Sequence, residues 1–349
     1  MPEPENLDVL IARQGALGRI TLNRPKAINA LTLPMLRAIW RALEAWRTDE
    51  SILAVAVDGA GTRGFCAGGD IRAIYASVQA ADGMGDTFWR EEYALNAVIA
   101  AYPKPYAVLM DGLVMGGGVG LSAHGSHRFV TESTALAMPE TGIGFFPDVG
   151  GTWLLSRAPG ELGAYLGLTG ARIGFADAIS CGFADRVIGT EVWPDLLAAL
   201  ARAATNNDVT ALLLAASTRA EGSYLTQRQA GIDDAFSANS IEQILAALAR
   251  QDTPFARETY RILAVRSPLA LKVTLAALRR ARNLGSLEDC LAMEARLAHA
   301  MSRQPDFLEG IRAAVIDKDQ APRWSPATLA QVSDEAVARI LEGTVEQTP

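Results

Sequence analysis

This 349-residue sequence has only three cysteines, only three histidines and no excess of basic charge, and each shortage excludes a class of function. Cys66, Cys181 and Cys290 are odd in number and far apart, which argues for a reducing compartment and against a disulfide framework. No CxxC pair or His/Cys cluster has metal-site spacing, and His124 and His127 lack a nearby cysteine or carboxylate to complete a ligand set. With 32 basic and 39 acidic residues the net charge is −7, so the broad basic face that nucleic acid needs is not expected. A phosphorylated small ligand stays open, because a few local Lys or Arg side chains suffice for one. The start, MPEPENLDVLIARQG, is acidic and lacks a basic, apolar leader pattern. The longest apolar stretch, residues 105–123, is interrupted by Asp111 and a glycine cluster, so no membrane span is expected. A soluble, cytoplasmic protein without low-complexity segments is the expectation.

What is present is an ordinary globular balance, half hydrophobic and a fifth charged, in a chain long enough to bury a large core. Residues 7–13 and 18–23 read as two strands joined by a glycine-containing turn; the second alternates polar and apolar residues. A helix is predicted over 33–48, with Thr32 as its cap, Pro34 in its first turn, and Leu36, Ile39, Leu43 and Trp46 on one face. Residues 52–57 and 105–110 are continuous apolar runs, as expected of strands buried on both faces.

These two runs resemble each other. Ala54-Val-Ala-Val-Asp-Gly59 matches Ala107-Val-Leu-Met-Asp-Gly112 at four of six positions. Each leads to a glycine cluster and then a helical pattern: Gly68-Gly69 before a helix starting near Asp70, and Gly116-Gly117-Gly118 before one near 119–125. A strand–turn–helix unit repeated roughly fifty residues apart suggests a layered fold of repeated units. From about residue 190 the strand signal fades, and helical spacing dominates to about 330, with Pro322 and Pro326 interrupting it. The expected organisation is a core over residues 1–190 carrying the active site, followed by a mainly helical region over 191–349.

A glycine cluster between a buried strand and a helix lets backbone approach a ligand closely, and the first-turn N–H groups then point at it. The ligand can be a phosphate or a carbonyl oxygen gaining charge; a plain tight turn is the other reading. The spacing Gly116-Gly-Gly-Val-Gly120 does not fit a dinucleotide fingerprint. Two clusters in matching contexts favour a pair of converging donors, the arrangement of an oxyanion hole. Glu140 and Asp148 sit in a very apolar stretch, where a carboxylate is costly to ionise and its pKa can move toward acid–base work. Equally, Glu140 suits a first helical turn after Pro139, and Asp148 a turn after Pro147.

The ordered series of motifs resembles the crotonase (enoyl-CoA hydratase/isomerase) superfamily, and within it the 3-hydroxyisobutyryl-CoA hydrolase branch. The markers are Ile20-Thr-Leu-Asn-Arg-Pro-Lys-Ala-Ile-Asn-Ala-Leu31, Phe65-Cys-Ala-Gly-Gly-Asp-Ile-Arg72, Arg90-Glu-Glu-Tyr93 and Met115-Gly-Gly-Gly-Val-Gly120. Met138-Pro-Glu140, Phe146-Pro-Asp-Val-Gly-Gly151, and Asp306-Phe-Leu-Glu-Gly-Ile-Arg-Ala-Ala-Val-Ile-Asp-Lys318 with Trp324 complete the series, which spans nearly the whole chain. The resemblance implies an α/β fold, a crotonase-like spiral of ββα units with a C-terminal helical region.

It also implies a site. The backbone N–H groups of Gly69 and Gly117 form the oxyanion hole, Glu140 is the acid–base residue, Asp148 is the second site carboxylate of the hydrolase branch, and Glu92 lines the substrate pocket. Lys26 is a candidate for holding part of coenzyme A; the alternative is an ordinary surface lysine. Hydratases of the family carry a second catalytic glutamate just after the glycine cluster, where this sequence has Gly120. That departure points to hydrolysis of 3-hydroxyisobutyryl-CoA or a related 3-hydroxyacyl-CoA, a step of valine breakdown. No cofactor is implied beyond the coenzyme A of the substrate, and a homo-oligomer is compatible with the superfamily. The alternatives are a hydratase or isomerase using Glu140 alone, and a non-catalytic acyl-CoA-binding protein.

Overall fold

The computed structural model describes residues 7–220 and 222–344. By compactness the chain divides into two units: Met1–Asp70, Glu91–Leu136 and Ile173–Gly222 in the first, and Ile71–Arg90, Ala137–Arg172 and Ser223–Pro349 in the second.

The first unit is built on a six-stranded sheet. The expected hairpin is β1 (Val9–Gln14) and β2 (Leu17–Leu22), antiparallel in register from Val9 opposite Leu22 to Gln14 opposite Leu17. The helix α1 (Leu33–Arg47) starts where predicted: the Thr32 side chain accepts from the Met35 N–H at 3.4 Å. Leu36, Ile39, Leu43 and Trp46 are all buried. The two apolar runs become β3 (Ala54–Gly59) and β5 (Tyr106–Met110). They lie side by side in parallel, with Ala56 opposite Ala107 and Val57 opposite Val108, so the two copies of the repeated hexapeptide are neighbours. Both faces are covered, which is why their patterning is continuous and not alternating. Each fully buried Val or Leu here contributes about 1.5–3 kcal/mol.

The repeat has a further element that its sequence does not advertise. After β3 comes the short strand β4 (Gly64–Cys66), then α2 (Ile71–Ala80). The helix α3 (Met84–Ala100) precedes β5, and after β5 come β6 (Leu113–Met115) and α4 (Gly117–Ser122). A third passage runs β7 (His127–Val130), β8 (Ala135–Ala137) and a 3-10 turn, Glu140–Ile143. The long strands join the main sheet in the order β1-β2-β3-β5-β7-β9, with β9 at Arg186–Val187, and the short ones form a second sheet, β4-β6-β8. Successive ββα passages of this kind are the spiral that the sequence predicts. Three-residue strands carry too little periodicity to be read in advance.

Asn29 ties the first passage together. Its side-chain oxygen accepts from the Arg24 N–H at 2.9 Å, and its amide donates to the carbonyls of Ala60, Gly64 and Phe65. Its φ of 55° is a left-handed conformation that asparagine tolerates well. Asn29→Ala leaves these buried groups unpaired and strains the turn, so urea denaturation is expected to show a loss of about 2–4 kcal/mol.

The second unit is mainly helical. The helices Pro268–Ala281 and Leu287–Met301 bury most of their apolar residues. The same unit holds an aromatic group, with Trp89 stacked on Phe145 at 5.5 Å and Phe145 against Phe307 at 5.2 Å. Among the described residues no helix is long and apolar enough to cross a membrane.

Candidate active site

In the first unit Gly69 and Gly117 lie side by side. Leu31 bridges to Gly69: the Leu31 N–H donates to the Gly68 carbonyl, and the Asp70 N–H donates to the Leu31 carbonyl, both at 2.8 Å. The flanking residues thus use the side of the strand that faces Leu31, and the Gly69 N–H is turned away from it. Gly117 is the first residue of α4, so its N–H has no partner within the helix. A Cβ at residue 117 would sit 3.3 Å from the Gly69 nitrogen and 3.0 Å from Leu31 Cδ1, and would collide with Glu92 Oε1. Only glycine leaves open the space in front of both donors. Gly68, just before Gly69, has φ 98°, a left-handed conformation that accounts for glycine there.

Glu92 lies on α3 and is almost fully buried. Its neighbour Glu91 instead points to the surface side, where Arg37 binds it with two hydrogen bonds of 2.8 Å. The second glutamate of Arg90-Glu-Glu-Tyr93 is therefore the one beside Gly117. Gly120 is buried within α4, where no acid is available. Lys26 sits exposed on the 3-10 turn Pro25–Ala27, and its carbonyl accepts from Arg63 Nη2 at 2.6 Å.

The carboxylates of the second unit form their own cluster. Glu140 opens the 3-10 turn that follows β8, just as Gly117 follows β6. Its carboxyl is buried, and Oε2 has no hydrogen-bond partner among the described residues. Burial, then the charge of Asp148, and to a smaller degree that of Glu294, push its pKa well above the usual carboxylate range; only its own backbone N–H opposes them. The turn is braced by the distal motif. Gly144, at φ 71°, lies so close to the Asp306 carbonyl that a side chain there would collide with it, and Gly310 lies equally close to Ile143. Asp306 in turn accepts from Ser267 Oγ at 2.5 Å and from the Ser325 N–H at 2.6 Å.

Asp148 is buried at the head of a tight loop, with its carbonyl accepting from the Gly151 N–H at 2.6 Å. Val149 (φ 54°) and Gly150 (φ 76°) are both left-handed. For a β-branched valine that conformation costs roughly 1–3 kcal/mol and needs strong local support. Support comes from Glu294, which sequence reasoning missed. Its Oε2 accepts from the Gly150 N–H at 2.6 Å, and its Oε1 from the Thr152 N–H at 2.9 Å and the Thr152 hydroxyl at 2.6 Å. Burial pushes the Glu294 pKa up to about 8, while these three hydrogen bonds favour the ionised form and hold it down; donors on both oxygens are the pattern a carboxylate accepts. The signal was visible in the helix Leu287–Met301: Glu294 falls on the stripe of Cys290, Leu291, Leu297 and Met301, an acid on an apolar face. Cys66, Cys181 and Cys290 are free and buried, and no cluster of potential metal ligands occurs among the described residues.

A spiral of ββα passages, with long strands in one sheet and short ones in a second, is the fold of a class of coenzyme A thioester enzymes. The chain belongs to the enoyl-CoA hydratase/isomerase family, whose sequence profile matches residues 17–341. It is 43% identical over 337 residues to the mitochondrial 3-hydroxyisobutyryl-CoA hydrolase of Gallus gallus, covering 95% of this chain and 87% of the relative. Identity to the Homo sapiens protein of the same name is 41% over 337 residues, covering 94% and 86%. Among solved structures, one described as a carnitinyl-CoA dehydratase from Mycobacterium thermoresistibile superposes with a TM-score of 0.91 at 47% identity, over 96% of each chain. One described as an enoyl-CoA hydratase from Rhodobacter sphaeroides gives 0.88 at 46%, over 96% of this chain and 97% of the other.

Proposed function

We propose that the protein hydrolyses the thioester of 3-hydroxyisobutyryl-CoA, or of a closely related 3-hydroxyacyl-CoA, to the free acid and coenzyme A. The observation that carries this reading is the choice of acids. Glu140 is a buried acid whose pKa burial and then the charge of Asp148 raise, while Gly120 stands where a hydratase of the family needs its second glutamate. Relatives at 41–43% identity carry the name of that hydrolase.

In this mechanism the Gly69 and Gly117 N–H groups bind the thioester oxygen and stabilise the charge it gains when the carbonyl is attacked. Glu140 in its ionised form either removes a proton from water as that water attacks, or attacks the carbonyl itself to give an anhydride that water then opens. In both routes the C–S bond breaks, coenzyme A leaves as the thiolate and takes up a proton, and one water is consumed. Asp148 binds the substrate hydroxyl or aligns the water, Glu92 lines the acyl pocket, and Lys26 contacts coenzyme A. The reaction needs no group beyond the coenzyme A that the substrate carries.

Mixing enzyme with 3-hydroxyisobutyryl-CoA and following free thiol is the direct test, with release far above background expected. No release at high enzyme concentration removes the reading. Hydration is the second reading, because the two solved structures named above are described as a dehydratase and a hydratase. Loss of enoyl absorbance on mixing with crotonyl-CoA, without thiol release, would establish it instead.

The raised pKa of Glu140 has a kinetic consequence. The ionised form does the work, so kcat/KM is expected to rise with pH along a limb displaced above the ordinary carboxylate range. Asp148→Asn removes the charge that raises the Glu140 pKa most, makes the Glu140 anion easier to form, and should shift that limb to lower pH. The measurement is the pH dependence of kcat/KM for both proteins.

A further inference from the structure

We propose that Glu294 is a positioning residue for Asp148: its carboxylate clamps the strained loop that follows Asp148 and so sets where that side chain stands. The inference rests on the role proposed above for Asp148. Three observations carry it. Glu294 is fully buried, yet among the described residues its hydrogen-bond donors all come from the four-residue span just beyond Asp148, namely Gly150 N–H, Thr152 N–H and Thr152 Oγ. The residues between Asp148 and that clamp, Val149 and Gly150, are both left-handed. Finally, Glu294 and Asp148 are close enough for their charges to interact.

A plain structural cap does not account for this arrangement. The short helix α5 (Gly151–Ser156) begins at Gly150, which has no side chain to cap it. Serine or aspartate at a helix's own cap position would satisfy the first-turn N–H groups near the surface at little cost. Here the left-handed conformation at residue 150 favours glycine, and the acceptor is supplied from a helix 144 residues further along the chain. A buried carboxylate is an expensive acceptor, and its two oxygens fix the loop at two points. Two-point fixation determines the orientation of the loop as well as its presence, and Asp148 sits two residues from the first point. Glutamine at 294 keeps the size and one acceptor, but its amide NH2 meets either the Gly150 N–H or the Thr152 donors, so one end of the clamp opens.

The test is a double-mutant cycle on 3-hydroxyisobutyryl-CoA hydrolysis, read as thiol release with enzyme in excess so that slow variants stay measurable. Glu294→Gln is expected to lower the rate of the chemical step by roughly 10- to 100-fold, with KM in steady-state assays changed less than about threefold. In an Asp148→Asn background the same change should cost less than about threefold, because the residue being positioned is already disabled. A general loss of folded protein would instead scale both backgrounds equally. Equal factors in the two backgrounds, or a Glu294→Gln rate within about twofold of the parent, would overturn the proposal. If Glu294→Gln does not fold, Thr152→Val takes its place by removing one clamp donor. It should slow the parent several-fold and the Asp148→Asn protein much less, and Thr152→Ser should recover the loss; a loss equal in both backgrounds overturns the proposal. Full turnover by Asp148→Asn alone would remove the Asp148 assignment and this inference with it. An impaired Asp148→Asn with additive losses removes this inference only.

Discussion

Glu140→Gln is expected to lower kcat by roughly 10²- to 10⁴-fold while leaving KM for the thioester nearly unchanged. Glutamine fills the same volume in the buried 3-10 turn, so the packing of Phe145 and the contact at Gly144 persist. What is lost is the only form that can take a proton from water or attack carbon. Stability provides the control, and its sign follows from linkage. The folded protein holds the Glu140 proton more tightly than the unfolded chain does. That contribution is fully present below the ordinary carboxylate pKa, and it is lost as pH rises through the raised value. Glutamine has no proton to lose. The variant should therefore melt at the same temperature as the parent in acid and at a higher one near neutrality. A variant both inactive and less stable near neutrality would mean that Glu140 serves the fold.

Gly117→Ala is expected to reduce kcat/KM by roughly 10²- to 10³-fold, comparable to deleting one oxyanion donor. The methyl group would occupy the space in front of the Gly69 N–H and displace the Glu92 carboxyl. The backbone itself should tolerate alanine, because residue 117 is an ordinary first helical position without a left-handed φ. Turnover and thermal midpoint should thus separate, with a large fall in one and a small change in the other. Gly68→Ala offers the contrast: at φ 98° it strains the backbone directly, and stability should fall together with activity. If Gly117→Ala keeps full turnover, the oxygen does not bind there.

The sequence by itself determined the repeated strand, its glycine cluster and the helix after it, because each depends on neighbours in the chain. The continuous apolar runs of β3 and β5, the Thr32 cap and the stripe of α1 are local patterns and could be read directly. Glu140 and Asp148 stood out because acids in apolar surroundings are costly wherever they fall. Only the tertiary structure decided how these parts serve one another. The three short strands of the second sheet have too few residues to announce themselves, yet they align the passages that end at Gly69 and Gly117. The acceptor of the Gly150 and Thr152 N–H groups is a glutamate on a distant helix, and no local pattern links it to them. Hydrogen bonds and collisions are short-range in space but not along the chain. For that reason the glycine in front of Gly69, the brace from Asp306 and the clamp from Glu294 emerged only once the chain was folded.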